Sequence, residues 1–131
     1  MGRRVAAVVH LDTHVVAWLY TGRFDDLSVK ARRAIDREPL AVSPFVRLEL
    51  QLLHEIGRLA GGPAKVLKEL GERVGLVEEP VDASRVVGKA NELSWTRDPF
   101  DRLIVGHARV ERAPLITRDR TIREHYSAAI W

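Results

Sequence analysis

WTRDPFDRLIVGHARVERAPLITRDRTIREHY, Trp95 to Tyr126, decides how this chain is read. Asp98-Pro99 is a helix start, because Asp caps well and proline suits the first helical position. Leu103, Ile104, His107 and Ala108 then recur at helical spacing and face inward. Pro114 to Thr117 is a short apolar run and predicts a strand. Asp119 follows it directly and opens a short helix through Tyr126. Helix, strand and helix therefore alternate within one stretch, and three carboxylates, Asp98, Asp101 and Asp119, fall at helix starts.

The same alternation runs backwards to the N-terminus. Val5 to Leu11 is a short, valine-rich, mostly apolar run, as expected of a central strand buried on both faces. It stops at Asp12-Thr13, and His14 to Tyr20 has helical spacing with Val15, Trp18 and Leu19 on one side. Val29 to Glu38 predicts a charged helix, stopped by Pro39. Leu40 to Val42 is a strand. Ser43-Pro44 then opens a helix with Phe45, Leu48, Leu52, Ile56 and Leu59 along one stripe and Glu49 at its edge. Gly61-Gly62-Pro63 breaks the chain before a helix over Ala64 to Arg73. Gly75 to Glu78 predicts a strand, Ala83 to Ser94 a helix capped by Asp82, and Ala128 to Trp131 a last strand. The expected class is α/β, with four or five mostly parallel strands and helices on both faces. A chain of 131 residues suits one domain, residues 1–131.

Composition narrows the chemistry. Apolar residues at 46% can fill a core, and there is no cysteine, so thiol catalysis and thiolate zinc sites are excluded. The five histidines are scattered, with no HxH pair, no HExxH and only His10 and His14 at HxxxH spacing, which argues against the usual zinc motifs. No P-loop, GxGxxG or nucleophile elbow is present. No apolar run approaches bilayer length, so no membrane role is expected. The missing disulfides fit a reducing cytoplasm, the expected location. Net charge is +3 with a pI near 9.7, which is compatible with a polyanionic partner and equally with an ordinary basic soluble protein.

In open α/β sheets ligands bind at the carboxyl ends of strands. Asp12 ends the first strand, Asp119 follows a late one, Asp101 lies in the first turn of its helix, and Glu49 is on a helix that follows a strand. All four can point to one sheet edge. Singly, Asp12, Asp98 and Asp119 also serve as helix caps, and Glu49 could pair with Arg47 or Arg58. Together they would repel one another, and a divalent cation relieves that repulsion. Oxygen-only ligands select magnesium or manganese. A phosphatase of the haloacid-dehalogenase type wants a second Asp two residues after Asp12, where His14 stands.

LDTHVVAWL (11–19), SPFVRLEL (43–50), DPFDRLIVGHA (98–108) and LITRD (115–119) together, in this order, resemble the motifs of PIN-domain ribonucleases, most closely the VapC toxins of bacterial toxin–antitoxin pairs. The resemblance covers nearly the whole chain. It implies a three-layer α/β/α fold and an acidic quartet of Asp12, Glu49, Asp101 and Asp119 that is both catalytic and metal-holding. Thr13 and Thr117 match the family's hydroxyl residues beside the first and last acids. Asp98 is left as a helix cap, a supporting residue or an auxiliary ligand. The implied activity is endonucleolytic cleavage of RNA with Mg2+, or Mn2+ in its place, leaving a 5′ phosphate and a 3′ hydroxyl. The implied partners are an RNA substrate, a VapB-like antitoxin and a second copy of the chain in a homodimer, within a larger toxin–antitoxin complex. A housekeeping PIN nuclease and a PIN-like module that binds without cutting remain alternatives.

Arg97, Arg102, Arg118, Arg120 and Arg123 crowd the last two motifs. Arg102 and Arg118 are candidates for phosphate positioning; the competing reading is ordinary helix pairing, such as Arg102 with Asp98. Trp18 and Trp95 are expected in the core or a dimer interface rather than as base-stacking platforms.

Overall fold

A computed structural model describes residues 8–131, so Val5 to Ala7 of the expected first strand and the basic start lie outside the described residues. The apolar runs form five short parallel strands: β1 (Val9–Leu11), β2 (Leu40–Val42), β3 (Val77–Glu78), β4 (Leu115–Ile116) and β5 (Ala129–Ile130). β1, β2 and β4 are buried at every position, as strands covered on both faces must be. Seven α-helices connect them among the described residues: α1 (Thr13–Thr21), α2 (Val29–Arg37), α3 (Pro44–Glu55), α4 (Pro63–Val74), α5 (Ala83–Ala90), α6 (Pro99–Glu111) and α7 (Arg120–His125).

Strand order is β3-β2-β1-β4-β5. The chain steps outward from β1 to β3, then returns past β1 to β4 and β5. Right-handed crossovers run in opposite directions on the two sides, so their helices fall on opposite faces and give three layers. The order reverses between β1 and β4, which are joined by the Asp12 amide donating to the Ile116 carbonyl at 3.0 Å. That crevice is where a ligand site is expected in such a sheet.

Local chemistry sets the helix starts. Ser43 Oγ accepts from the Phe45 amide, Asp82 from Arg85, and Asp98 from Phe100 and Asp101. α6 lies close to α5 because Gly106 has no side chain. A Cβ there would come within 3.1 Å of the Val86 carbonyl oxygen. Leu11, Leu50, Ile104, Leu115 and Ile122 are fully buried between the layers.

α3 departs from expectation twice. It ends at Glu55, with Gly57 at φ 79° and the Arg58 amide donating to the Leu53 carbonyl. This is a Schellman stop, so Gly57 rather than Gly61 terminates the helix. Its inward face is Val46 and Leu50, with Leu53 packed against the core. Leu48, Leu52 and Ile56 are 53%, 40% and 65% exposed. The sequence offers two apolar stripes on one helix, and only the sheet decides which is covered. α5 likewise stops at Ala90, short of the expected Ser94.

Candidate metal centre at the switch point of the sheet

A cavity of about 410 Å³ opens over the crevice between β1 and β4, lined by Asp12, Glu49, Asp98, Asp101 and Asp119 together with His14, Trp18 and Arg118. Four separate elements deliver the expected acids to one place. Asp12 leaves β1 and caps α1, Glu49 comes from α3, Asp101 from the first turn of α6, and Asp119 caps α7 after β4.

Each acid is held differently. Asp12 is buried, with Oδ1 accepting from the Thr13 amide at 2.8 Å and Oδ2 from the Thr117 hydroxyl at 2.6 Å. Burial raises its pKa, against the opposing pull of those two donors. Glu49 is half-buried and accepts from the Thr13 hydroxyl. Its pKa is also raised, first by burial and then by Asp12 and Asp98. Thr13 thus ties two acids together, its amide on Asp12 and its hydroxyl on Glu49. Asp119 is exposed; its amide donates to Thr117 Oγ1 at 3.0 Å and its Oδ1 accepts from the Ile122 amide at 2.8 Å. Thr117 therefore joins the first acid to the last.

Asp101 stands apart. Its carboxylate has no hydrogen-bond donor among the described residues. Burial first, then Asp98, Asp12, Asp119 and Glu49, push its pKa up to about 7. Asp98 is exposed and gives one oxygen, Oδ1, to the amides of Phe100 and Asp101 at 2.8 and 3.2 Å. It caps α6 and still lines the cavity, so the cap places Asp101.

The donor set suits a hard divalent cation: oxygen atoms alone, on mutually repelling groups. Among the described residues no three acid or histidine side chains form a ready-made metal cage. Asp12, Glu49 and Asp119 turn oxygens instead to Thr13, Thr117 and the Ile122 amide. That arrangement fits magnesium, which keeps several waters and takes one or two carboxylates plus phosphate oxygens.

The arginines separate clearly. Arg118 lines the cavity, with its guanidinium carbon 5.8 Å from the Trp18 ring centre. Arg102 does not line it; Nε donates to the Thr96 carbonyl at 2.8 Å and ties down the loop before α6. Arg97 is bonded to the Ser94 carbonyl, and Arg120 pairs with Glu124. Arg47, a candidate partner for Glu49, pairs with Glu78 instead.

Sequence reasoning missed two features. His14 and Trp18 line the cavity, and Trp18 also packs against the core, as expected of it. Their signal was present: they are four residues apart on the helix that Asp12 caps. The second is a buried pair, His10 on β1 and His107 on α6, packed edge to face at 5.0 Å. His10 Nδ1 has no hydrogen-bond partner, and the Pro80 carbonyl beside His107 is too poorly placed to accept one. Glu111 Oε1 is 3.9 Å from His107 Nε2, beyond hydrogen-bond range.

Residues 9–127 match the family model of the PIN domain. The chain belongs to the PIN-domain family. This PIN domain is 36% identical over 121 residues to the ribonuclease VapC22 of Mycobacterium tuberculosis, covering 89% of this chain and 91% of that one. Its fold is similar to two solved assemblies. One is VapBC2 of Rickettsia felis bound to a promoter DNA fragment (TM-score 0.63, 18% identity, 89% and 92% of the chains). The other is a Klebsiella pneumoniae toxin–antitoxin complex (TM-score 0.66, 16% identity, 94% and 96%).

Proposed function

We propose that this PIN domain is a metal-dependent endoribonuclease and the toxin of a type II toxin–antitoxin pair. One observation carries the reading: Asp12, Glu49, Asp101 and Asp119 reach a single cavity from four elements, at the sheet's switch point. The ribonuclease named above, alike over nearly the whole chain, supports RNA as the substrate.

In this reading the four acids hold Mg2+, or Mn2+ in its place. The cation supplies a Lewis acid that acidifies water and offsets charge on phosphoryl oxygens. The chain's own residues do the rest. Thr13 and Thr117 fix the carboxylates of Glu49 and Asp12 with their hydroxyls. Asp98 sets the first turn of α6 and so aims Asp101. Asp101, with no donor on its carboxylate, takes the proton of the attacking water. The water oxygen attacks phosphorus in line and the bond to the 3′ oxygen breaks. The products are a 5′ phosphate and a 3′ hydroxyl. Arg118 steadies the substrate phosphate. Arg102 contributes only by holding its loop.

A protein partner is part of the proposal. The toxin–antitoxin assemblies of the same fold support a VapB-like antitoxin, and we extend the proposal to a homodimer within a larger complex. The uncovered row of Leu48, Leu52 and Ile56 on α3 gives such a partner an apolar face. Among the described residues no helix is long and apolar enough to cross a membrane. We place the protein in the cytoplasm, where RNA and antitoxin would meet it.

The test is cleavage of total RNA by purified protein, with ends mapped by sequencing. Cutting that requires Mg2+ or Mn2+, stops with chelator and leaves 5′ phosphates supports the reading. Equal cutting in chelator, or by Asp12→Ala at equal purity, contradicts it. Growth arrest on expression without an antitoxin, relieved by Asp12→Ala, separates a toxin from a housekeeping nuclease.

A further inference from the structure

α1 carries more than the first acid. His14 and Trp18 lie one helical turn apart on it, with ring centres 6.2 Å apart, and both border the acid cavity. Both also border a second recess of about 260 Å³. That recess is lined as well by Leu53 and Leu59 and by Arg23 and Arg58. The two cavities share the His14 and Trp18 side chains, and the second holds none of the acids.

The His14–Trp18 ridge has the properties of a stacking surface. Trp18 is half-buried and backed by Trp131, whose ring centre is 6.0 Å away, so its orientation is fixed before any ligand arrives. A rigid aromatic side chain contributes contact area at low entropic cost. Arg118 supplies a cation over the same ring, and it also lines the acid cavity. In the second recess Arg23 is paired with Asp26, while the exposed Arg58 has no ion pair among the described residues. Aromatic faces that take bases, set beside arginines that take phosphates, are how proteins hold single-stranded nucleic acid.

We propose that the His14–Trp18 ridge stacks the nucleobase next to the scissile phosphate, and that the second recess takes the following nucleotide, with Arg58 on its phosphate. Stacking of this kind needs a base that is out of its duplex. This inference rests on the ribonuclease reading and adds the direction in which the strand leaves the acids.

The experiment uses a short single-stranded RNA whose wild-type cut site has been mapped. One abasic ribose is then placed at each nucleotide flanking the cut in turn. The wild type should lose about tenfold to a hundredfold in cleavage rate at one position beside the cut, and less at the next. In Trp18→Ala the intact RNA is cut more slowly by a similar factor, and the abasic penalty disappears. Trp18→Phe should restore both. Trp18→Leu keeps an apolar contact with Trp131 and should behave as Trp18→Ala, so it serves if the alanine variant fails to fold. Arg58→Ala should lower the salt dependence of binding by about one counterion. An abasic penalty that persists unchanged in Trp18→Leu, or none beside the cut in the wild type, overturns the proposal. A wild type that cuts no RNA with Mg2+ overturns the ribonuclease reading itself, a separate outcome.

Discussion

His10 and Asp12 are two residues apart at the end of β1, both buried, yet they are treated in opposite ways. Asp12 receives a backbone amide and a threonine hydroxyl, and opens onto the acid-lined cavity. His10 packs edge to face on another imidazole, His107, and its Nδ1 has no partner. Burial, with His107 adding to it, pushes the His10 pKa down to about 4, and burial lowers that of His107 too. Burial pushes both groups toward their neutral forms, but only Asp12 has donors that oppose the shift and an opening to the cavity. A buried carboxylate with donors can bind a cation; a buried imidazole pair without them acts as packing.

The largest expected effect is at the acids. Asp101→Asn and Asp12→Ala should each lower RNA cleavage by about a thousandfold or more. Thermal melting in chelator should meanwhile show the Asp101→Asn fold intact. Asp101 and His10 also give opposite stability profiles in the absence of metal. His10 titrates near 6.5 when unfolded and near 4 when folded, so its contribution is complete above pH 6.5 and is lost as pH falls toward 4. That amounts to about 3 kcal/mol. Asp101 titrates near 3.8 unfolded and near 7 folded, so its contribution is present below pH 4 and is lost as pH rises to 7. The two oppose each other across one window. Urea denaturation of the Asp101→Asn variant in chelator should therefore show a steeper loss of stability on acidification than the wild type. The double variant His10→Leu/His107→Met should show the reverse, a shallower acid loss. A double variant as steep as the wild type would remove the histidines from the account.

Smaller effects separate the two threonines. Thr117→Val takes the hydroxyl donor from a buried carboxylate and should weaken Mn2+ binding by about tenfold to a hundredfold. Thr13→Val takes the donor from Glu49, which is half-exposed, so water replaces it and the loss should stay below about tenfold. Calorimetric titration of both variants ranks them. A Thr13 effect larger than that of Thr117 would break the contrast between the buried and the wet acid.

Much of this was legible in the sequence because it is local. Asp98-Pro99 and Ser43-Pro44 announce helix starts through capping chemistry, and both are realised. The continuous apolar runs mark strands covered on both faces. The convergence of Asp12, Glu49, Asp101 and Asp119 follows from strand ends meeting at one sheet edge. What was not legible depends on partners far along the chain. Nothing near His10 announces His107. The two stripes of α3 are equally apolar, and the sheet's choice of Val46 and Leu50 leaves Leu48, Leu52 and Ile56 outside. Trp18 has the composition of a core residue; only the two cavities it lines give it another use. Arg102 and Arg118 look alike until a carbonyl claims one of them.

The central claim is that the repelling acids are a cation site. Its most direct test is calorimetric titration of Mn2+ into the wild type and Asp101→Asn at pH 7, in two buffers of different ionisation heat. Because Asp101 is held near neutrality, cation binding should expel part of a proton from the wild type and none from the variant. The variant should also bind at least about tenfold more weakly. Equal affinity and equal proton release in the two proteins would contradict the account.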